Sequence, residues 1–276
     1  MALRSRLRRV ALAPSAMVLA ALLAPRPAPS VAQTPAIVVE RHRAPRPSSA
    51  GVGDRRITVV RVDPARIGVR LLSESAHGRR RPLPEWVEDH DLVGGINAGM
   101  FLPDGRSVGY LMDRGEVRSD RRPGSFEAVL GFHPRPDGAP IRVAGPGCGG
   151  GIDDVRRTHR SVLQAKRVMI SCRGQARRWR TRRFSAAAVG VDRHGHLVLV
   201  HVRTPYRMGV LSRMLVDLDL GLRGLAYMEG GPEASLVVRT DTEDVALMGS
   251  WEDGFYPEDT NRAFWDLPNV LGLVRR

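Results

Sequence analysis

Lysine is almost absent from this chain: of its 43 basic residues, Lys166 alone is a lysine. Aromatic residues make up 5%, and no recognisable nucleic-acid-binding module accompanies the charge. Binders of single strands need stacking platforms, and duplex readers need a basic stripe on a defined module. The formal charge of +14 is therefore read as arginine bias in a GC-rich coding sequence, and no nucleic-acid partner is expected. Removing the first 32 residues, which carry five arginines and no acid, lowers the charge to +9. An anionic glycan or a phosphate-bearing substrate suits such a charge better.

Other absences narrow the chemistry. The stretch "GPGCGGGIDD" lacks the lysine and the serine or threonine of a P-loop, so neither a nucleotide site nor a cofactor is expected. There is no Gly-x-Ser-x-Gly elbow, and no repeat of fixed period. His194 and His196 flank Gly195 in a turn without a third ligand at suggestive spacing, so no metal site is expected.

What is present begins with a segment, residues 1–32, that reads as a signal peptide. Residues 1–32 carry Arg4, Arg6, Arg8 and Arg9, an apolar stretch from Val10 to Leu23, and small residues Ser30 and Ala32 placed for cleavage. The apolar stretch, broken by Pro14 and Ser15, is short for a membrane span, so no stable span is expected after cleavage. An exported protein, periplasmic or extracellular, with the two cysteines Cys148 and Cys172 is expected to bridge them, the alternative being two unpaired thiols.

Residues 33–55 are rich in proline, serine and small residues and are read as a flexible linker, with the folded domain over 56–276. With 42% hydrophobic residues the chain can bury a sizeable core. "ITVVRV" and "IGVRLLS", separated by "DPAR", read as a hairpin-like pair of strands. "LPEWVEDHD" reads as a short helix, and "GVLSRMLVDLDL" as an amphipathic one with Leu211, Met214, Leu215 and Leu218 on its buried face. Further strands are expected at "LVGGIN", "VGYLMD", "EAVLGFH", "AKRVMIS", "SAAAVGVD", "HLVLVHV", "LRGLAYME", "ASLVVRT" and "NVLGLVR". Many strands and few helices indicate a single α+β domain of mixed, largely antiparallel sheets with a few flanking helices.

Two strand ends switch abruptly from apolar residues to a polar residue and glycine. In "GGINAGMF" the polar residue is Asn97; in "AYMEGGPEASLVV" it is Glu229, followed by Gly230 and Gly231. Each places a polar head at the tip of a buried strand, where loops carry function and glycine lets a ligand approach the backbone. The structural alternative is a pair of turns. Glu233 is the second carboxylate to watch, or else an acid of the turn itself. In "HVRTPYRMG", Arg203 and Tyr206 suit a sugar and its phosphate together, or else form a plain strand-to-helix connection.

In this order, "INAGMF", "VGYLMDRGEV", "SAAAVGVDRHGHLVLVHV" and "LAYMEGGPEASLVV" resemble the phosphodiester glycosidase family, that of the lysosomal enzyme that uncovers mannose 6-phosphate, and its bacterial relatives. The resemblance implies an Asn-x-Gly-x-Phe loop at Asn97, Gly99 and Phe101 and an acidic-Gly-Gly turn at Glu229, Gly230 and Gly231. It implies hydrolysis of a sugar 1-phosphodiester or related glycan linkage at the cell envelope, with Glu229 as nucleophile or water-activating base. The chain departs from the family twice. Glu229 stands where aspartate is usual, a side chain longer by about 1.5 Å, and Ala186 stands where an arginine is common, which leaves Arg183, Arg203 or Arg207 to meet a phosphate. These departures keep a non-catalytic carbohydrate-binding or envelope structural protein as the alternative.

Overall fold

The apolar runs become strands, joined by antiparallel pairing throughout the computed structural model, which describes residues 35–136 and 138–276. The expected signal peptide lies outside the described residues. The first half of the chain forms β1 (Ile37–Arg43), β2 (Arg56–Val62), β3 (Ile67–Ser73), α1 (Glu74–His77), β4 (Arg81–Pro82), α2 (Leu83–Asp89), β5 (Gly94–Asn97), β6 (Leu111–Asp113), β7 (Glu116–Ser119) and β8 (Ala128–Pro134). Next come β9 (Arg142–Ala144), α3 (Ile152–Thr158), β10 (His159–Ala165), β11 (Arg167–Ile170), β12 (Arg183–Asp192) and β13 (Leu197–Arg207). The last are α4 (Met208–Asp217), β14 (Leu222–Gly230), β15 (Ser235–Arg239), β16 (Asp244–Met248), β17 (Asp266–Leu267) and β18 (Asn269–Arg275).

Three sheets enclose one core. The largest has the order β1-β2-β13-β12-β14-β11, and the five-stranded sheets run β7-β6-β10-β8-β9 and β16-β15-β5-β18-β3. Inward side chains of all three meet: Val189 and Leu199 from the first, Leu130 and Leu163 from the second, Ile96 and Leu271 from the third. Each outer face is covered by a helix. The alternate residues Ala188, Val198 and Val200 pack under Leu211 and Leu215 of α4, Trp86 of α2 covers Val237 and Val270, and Val155 of α3 covers Val129 and Val162. Strands buried on both faces read as continuous apolar runs, which is why "HLVLVHV" shows no polar alternation. This is an α+β fold of largely antiparallel sheets, as expected, and among the described residues no helix is long and apolar enough to cross a membrane.

Two expectations are corrected. The folded unit starts at Pro35, not at residue 56: β1 pairs with β2 across all seven residues, from Ile37↔Val62 to Arg43↔Arg56. The segment that follows is also tied down, since Ala44 is fully buried, Arg46 O accepts from the Tyr206 hydroxyl at 2.8 Å, and Ser48 Oγ donates to Pro205 O. Proline and serine composition concealed the apolar Ile37-Val38-Val39 triplet inside the supposed linker. Likewise β2 and β3 do not form a hairpin: after the Asp63 turn the chain leaves the six-stranded sheet, and β3 pairs with β18 instead.

Cys148 and Cys172 form a disulfide with their Cα atoms 4.9 Å apart. Gly145, Gly147, Gly149 and Gly150 all take positive φ, so the glycine-rich stretch is the slack that brings Cys148 to its partner. His194 and His196 sit on a turn organised by buried Asp192, which accepts from both their backbone N–H groups and pairs with Arg61 at 2.7 Å.

Candidate active site

The turn after β14 has no room for side chains where its glycines stand. A Cβ on Gly230 would strike Ser185 O and the Tyr227 hydroxyl, and Gly231 has φ +69°, so each position requires glycine for a different reason. The short 3-10 turn Gly231–Glu233 then folds Glu233 back over the glycine. A Cβ on Gly231 would stand 3.1 Å from Glu233 Oε2 and 3.0 Å from Glu252 Oε2, so two carboxylates face each other across that point. Glu252 comes from the loop after β16.

A strand irregularity places the third acid. Between Ala187↔Glu229 and Ala188↔Tyr227 the register of β12 and β14 slips by one residue, which leaves Met228 as the extra residue in the central core and sets Glu229 opposite Ala187, while Tyr227 packs on the α4 side. Glu229 as a residue keeps some exposed surface, yet its Oε2 is sealed from solvent without a hydrogen-bond partner, as is Glu233 Oε2. Asn97, at the tip of β5, is buried; its Oδ1 accepts from Ser235 N at 3.1 Å while its Nδ2 has no partner. Buried polar atoms left unmatched are costly and rare in native structures. Three of them belong to this turn and the strand end bonded to it.

The acids are electrostatically coupled. Burial, with the charges of Glu233 and Glu252, pushes Glu229 well above the usual carboxylate range. Burial and Glu252 push Glu233 up to about 7. Glu252 is raised by burial too, but Arg182 opposes the rise. Burial first, and then the charges of Glu229, Glu252 and Glu233, push the Tyr227 hydroxyl well above its ordinary value, so it stays protonated. The Glu252 side therefore gives up its proton first, and Glu229 last.

Behind these groups lies a supporting frame. His201 is fully buried and held neutral, its pKa lowered to about 4 by burial; its Nε2–H donates to Ala234 O at 3.1 Å, under the turn. Ser185 Oγ accepts from Ser250 N and Trp251 N, both at 3.0 Å, and donates to Arg203 O, fixing the Glu252 loop. Arg203 itself is spent on Asp259 Oδ1 at 2.8 Å and on the carbonyls of Met248 and Asn261. Arg183 is spent on Asp253 Oδ2 at 2.9 Å. Burial opposes ionisation of Asp253, but the Arg183 and Trp251 hydrogen bonds outweigh it and hold its pKa near 2.

The sequence-derived candidates thus divide. Glu229, Glu233, Gly230 and Gly231 share the turn, and Asn97 is bonded to its end. Arg183 and Arg203 anchor the Glu252 loop instead of standing free for a ligand, and Arg207 donates to Thr181 O at 2.7 Å. Tyr206 is core, with its hydroxyl committed to Arg46. Gly99 supplies the left-handed bend after Asn97, with φ +78°, and Phe101 packs toward the Trp86 cluster. Glu252, Tyr227 and Arg182 were not picked out from the sequence. Nothing in "GSWEDGFY" or "RTRRFS" marks them, since only the fold brings residues 182, 229 and 252 together. Ala186 pairs with Gly230 and is buried in the α4 cluster, and the cation that acts on Glu252 is Arg182, whose Nη1 also donates to Asp253 O at 3.2 Å.

Comparison with curated proteins gave no match. The structure is similar to the zebrafish N-acetylglucosamine-1-phosphodiester alpha-N-acetylglucosaminidase catalytic domain auto-inhibited by its pro-peptide, with a TM-score of 0.61 and 16% identity over 89% of this chain and 85% of that one. It is also similar to a hypothetical protein from Synechocystis, with a TM-score of 0.61 and 13% identity over 87% of this chain and 62% of that one. At these identities the likeness concerns the fold. The family model described as phosphodiester glycosidase matches residues 90–274, a span that takes in Asn97, Arg182 and all three acids, and the chain belongs to that family.

Proposed function

We propose that the protein is a hydrolase of sugar 1-phosphodiesters, acting outside the reducing cytosol at the Glu229–Glu233–Glu252 turn. The observation that carries this is the set of three buried, unpartnered polar atoms, Glu229 Oε2, Glu233 Oε2 and Asn97 Nδ2, gathered at one turn. Sugar hydroxyls would complete them. The disulfide supports an oxidising compartment.

The chemistry follows from the order of ionisation. Cleaving a sugar C1–O–phosphate bond needs a carboxylate to attack the anomeric carbon or activate water. A phosphate monoester leaves as a stable anion, so it asks little of a general acid. Glu252, whose carboxyl Arg182 helps to ionise, is the member available as carboxylate. Glu229 keeps its proton, which assigns it hydrogen-bond donation to the phosphodiester in place of the nucleophilic role expected from sequence. A protonated Glu229 also spares the substrate's phosphate a second like charge. Arg182 offers that phosphate a cation, and the Asn97 amide a directed donor.

The zebrafish relative's name makes N-acetylglucosamine 1-(methyl phosphate) the first substrate to try. Purified protein should release the free sugar, and Glu252→Gln should lose about 10³-fold in kcat with the fold intact. Asn97→Ala should cost about 10²-fold. Absence of turnover on both anomers, with binding of the sugar retained, would make this a non-catalytic carbohydrate-binding member of the family. Full activity in Glu252→Gln would move the carboxylate role back to Glu229.

A further inference from the structure

Between Cys172 and β12 the chain reads "CRGQARRWRTRR", with six arginines in residues 172–183. From Arg177 to Arg183 the exposure alternates strictly: Arg178, Arg180 and Arg182 are exposed, while Arg177, Trp179, Thr181 and Arg183 are partly buried. A period of two is that of an extended chain, which spaces the exposed side chains roughly 6.6 Å apart. The inner set is committed. Arg177 lies 3.7 Å from Glu127, Arg183 holds Asp253, and Trp179 packs edge-on against Tyr227 with ring centres 5.3 Å apart. Of the outer set, Arg178 and Arg180 have no carboxylate partner among the described residues, and neither does Arg213, exposed nearby on α4.

Two grooves flank this row. One of about 930 Å³ opens over the disulfide and is walled by Arg173, Arg177 and Arg178. The other, of about 500 Å³, is walled by Trp179 and by Arg178, Arg180, Arg207 and Arg213. Arg178 belongs to both, and no acidic side chain lines either one. Uncompensated like charge at this density repels itself and raises the local concentration of anions. The row also leads to the acid turn: Trp179 abuts Tyr227, whose hydroxyl stands beside Gly230 of that turn, and Arg182 at the far end acts on Glu252.

We propose that the arginine row and its two grooves hold the anionic backbone of a sugar-phosphate polymer, so that the acid site works on a repeat of a longer chain instead of a free sugar 1-phosphodiester. Exposed arginines at every second residue of this segment suit a ligand that carries one phosphate per repeat. The inference rests on the phosphodiester hydrolase reading for what happens at the acids, but the docking surface stands on its own geometry. A single-stranded nucleic acid offers similar phosphates, yet its binders present free aromatic faces. The one aromatic of these grooves, Trp179, is already engaged by Tyr227 and by Arg167, 5.7 Å from its ring.

The test compares the protein with an Arg178→Gln/Arg180→Gln/Arg213→Gln variant, whose exposed substitutions should leave the melting temperature unchanged. Fluorescence anisotropy is read on labelled poly(N-acetylglucosamine 1-phosphate) of about ten repeats and on oligo(dT) of equal charge, across a salt series. Turnover is read separately on N-acetylglucosamine 1-(methyl phosphate). Expected are polymer binding that weakens with salt, an affinity at least about tenfold lower in the variant, and weaker binding of oligo(dT) than of the polymer. Single-repeat kcat/KM should change by less than about twofold, since none of the three arginines reaches the acids. Equal polymer affinity in the two proteins would overturn the proposal, as would polymer bound no more tightly than one repeat. Tighter binding of oligo(dT) would overturn it in favour of a nucleic-acid surface. Polymer binding through the row without turnover of either substrate would sustain the docking surface and defeat the hydrolase reading.

Discussion

Glu233 is the residue at which this site meets physiological pH. Its pKa of about 7 arises from burial first and from Glu252 second. Below that value the turn presents Glu229 and Glu233 as neutral donors beside one carboxylate; above it a second negative charge forms where a phosphate must sit. We therefore expect kcat/KM on a sugar 1-phosphodiester to fall as pH rises through about 7, with KM carrying most of the loss. Glu233→Gln should remove that limb while keeping turnover at pH 6, and a pH profile of both proteins checks it. An unchanged alkaline limb in Glu233→Gln would assign the titration elsewhere. Glu229 and Asn97 were picked out in the sequence because an apolar run broke off at a polar group beside glycine, and Glu233 only as the second carboxylate of the same turn. Glu252 was not, since an acid in a polar loop becomes special only when Ser185 and Arg203 fold that loop over Gly231.

Among the elements, legibility followed burial on two faces. β12, β13, β14 and β18 are long apolar runs and were found, whereas β7 and β16 are short, partly exposed edge strands with little pattern to read. β1 was missed for a different reason: its apolar triplet gives way to Glu40, Arg41 and His42, polar residues that pair with one another and with Arg61 and Glu243. The disulfide was legible from the cysteine count together with the expected export signal. It closes a 24-residue separation and joins the loop before α3 to the end of β11. Chain-entropy arguments assign such a closure about 3 kcal/mol. Replacing both cysteines by serine should lower stability by roughly that amount in urea melts without abolishing turnover at the acid turn. Loss of turnover at temperatures where the variant remains folded would show that the bridge positions the site as well as the fold.

At the scale of the whole molecule, two buried groups pull stability in opposite directions across the same pH range. Glu233, raised from 4.5 to about 7, contributes stability that is fully present below 4.5 and is lost as pH rises to 7. His201, lowered from 6.5 to about 4, contributes stability that is present above 6.5 and is lost as pH falls toward 4. Each shift corresponds to something on the order of 3 kcal/mol, so the two slopes oppose one another, and the raised carboxyls of Glu229 and Glu252 add to the slope of Glu233. The single variants should expose them. Glu233→Gln should be more stable than the parent at pH 7.5 and no different at pH 4.5. His201→Gln keeps a side-chain donor for Ala234 O and should lose the acid-side decline, gaining relative to the parent as pH falls from 6.5 to 4. Thermal melts at four or five pH values read both. Parallel curves for all three proteins would mean that neither group changes its proton affinity on folding, and the ionisation order assigned to the acid turn would fall with them.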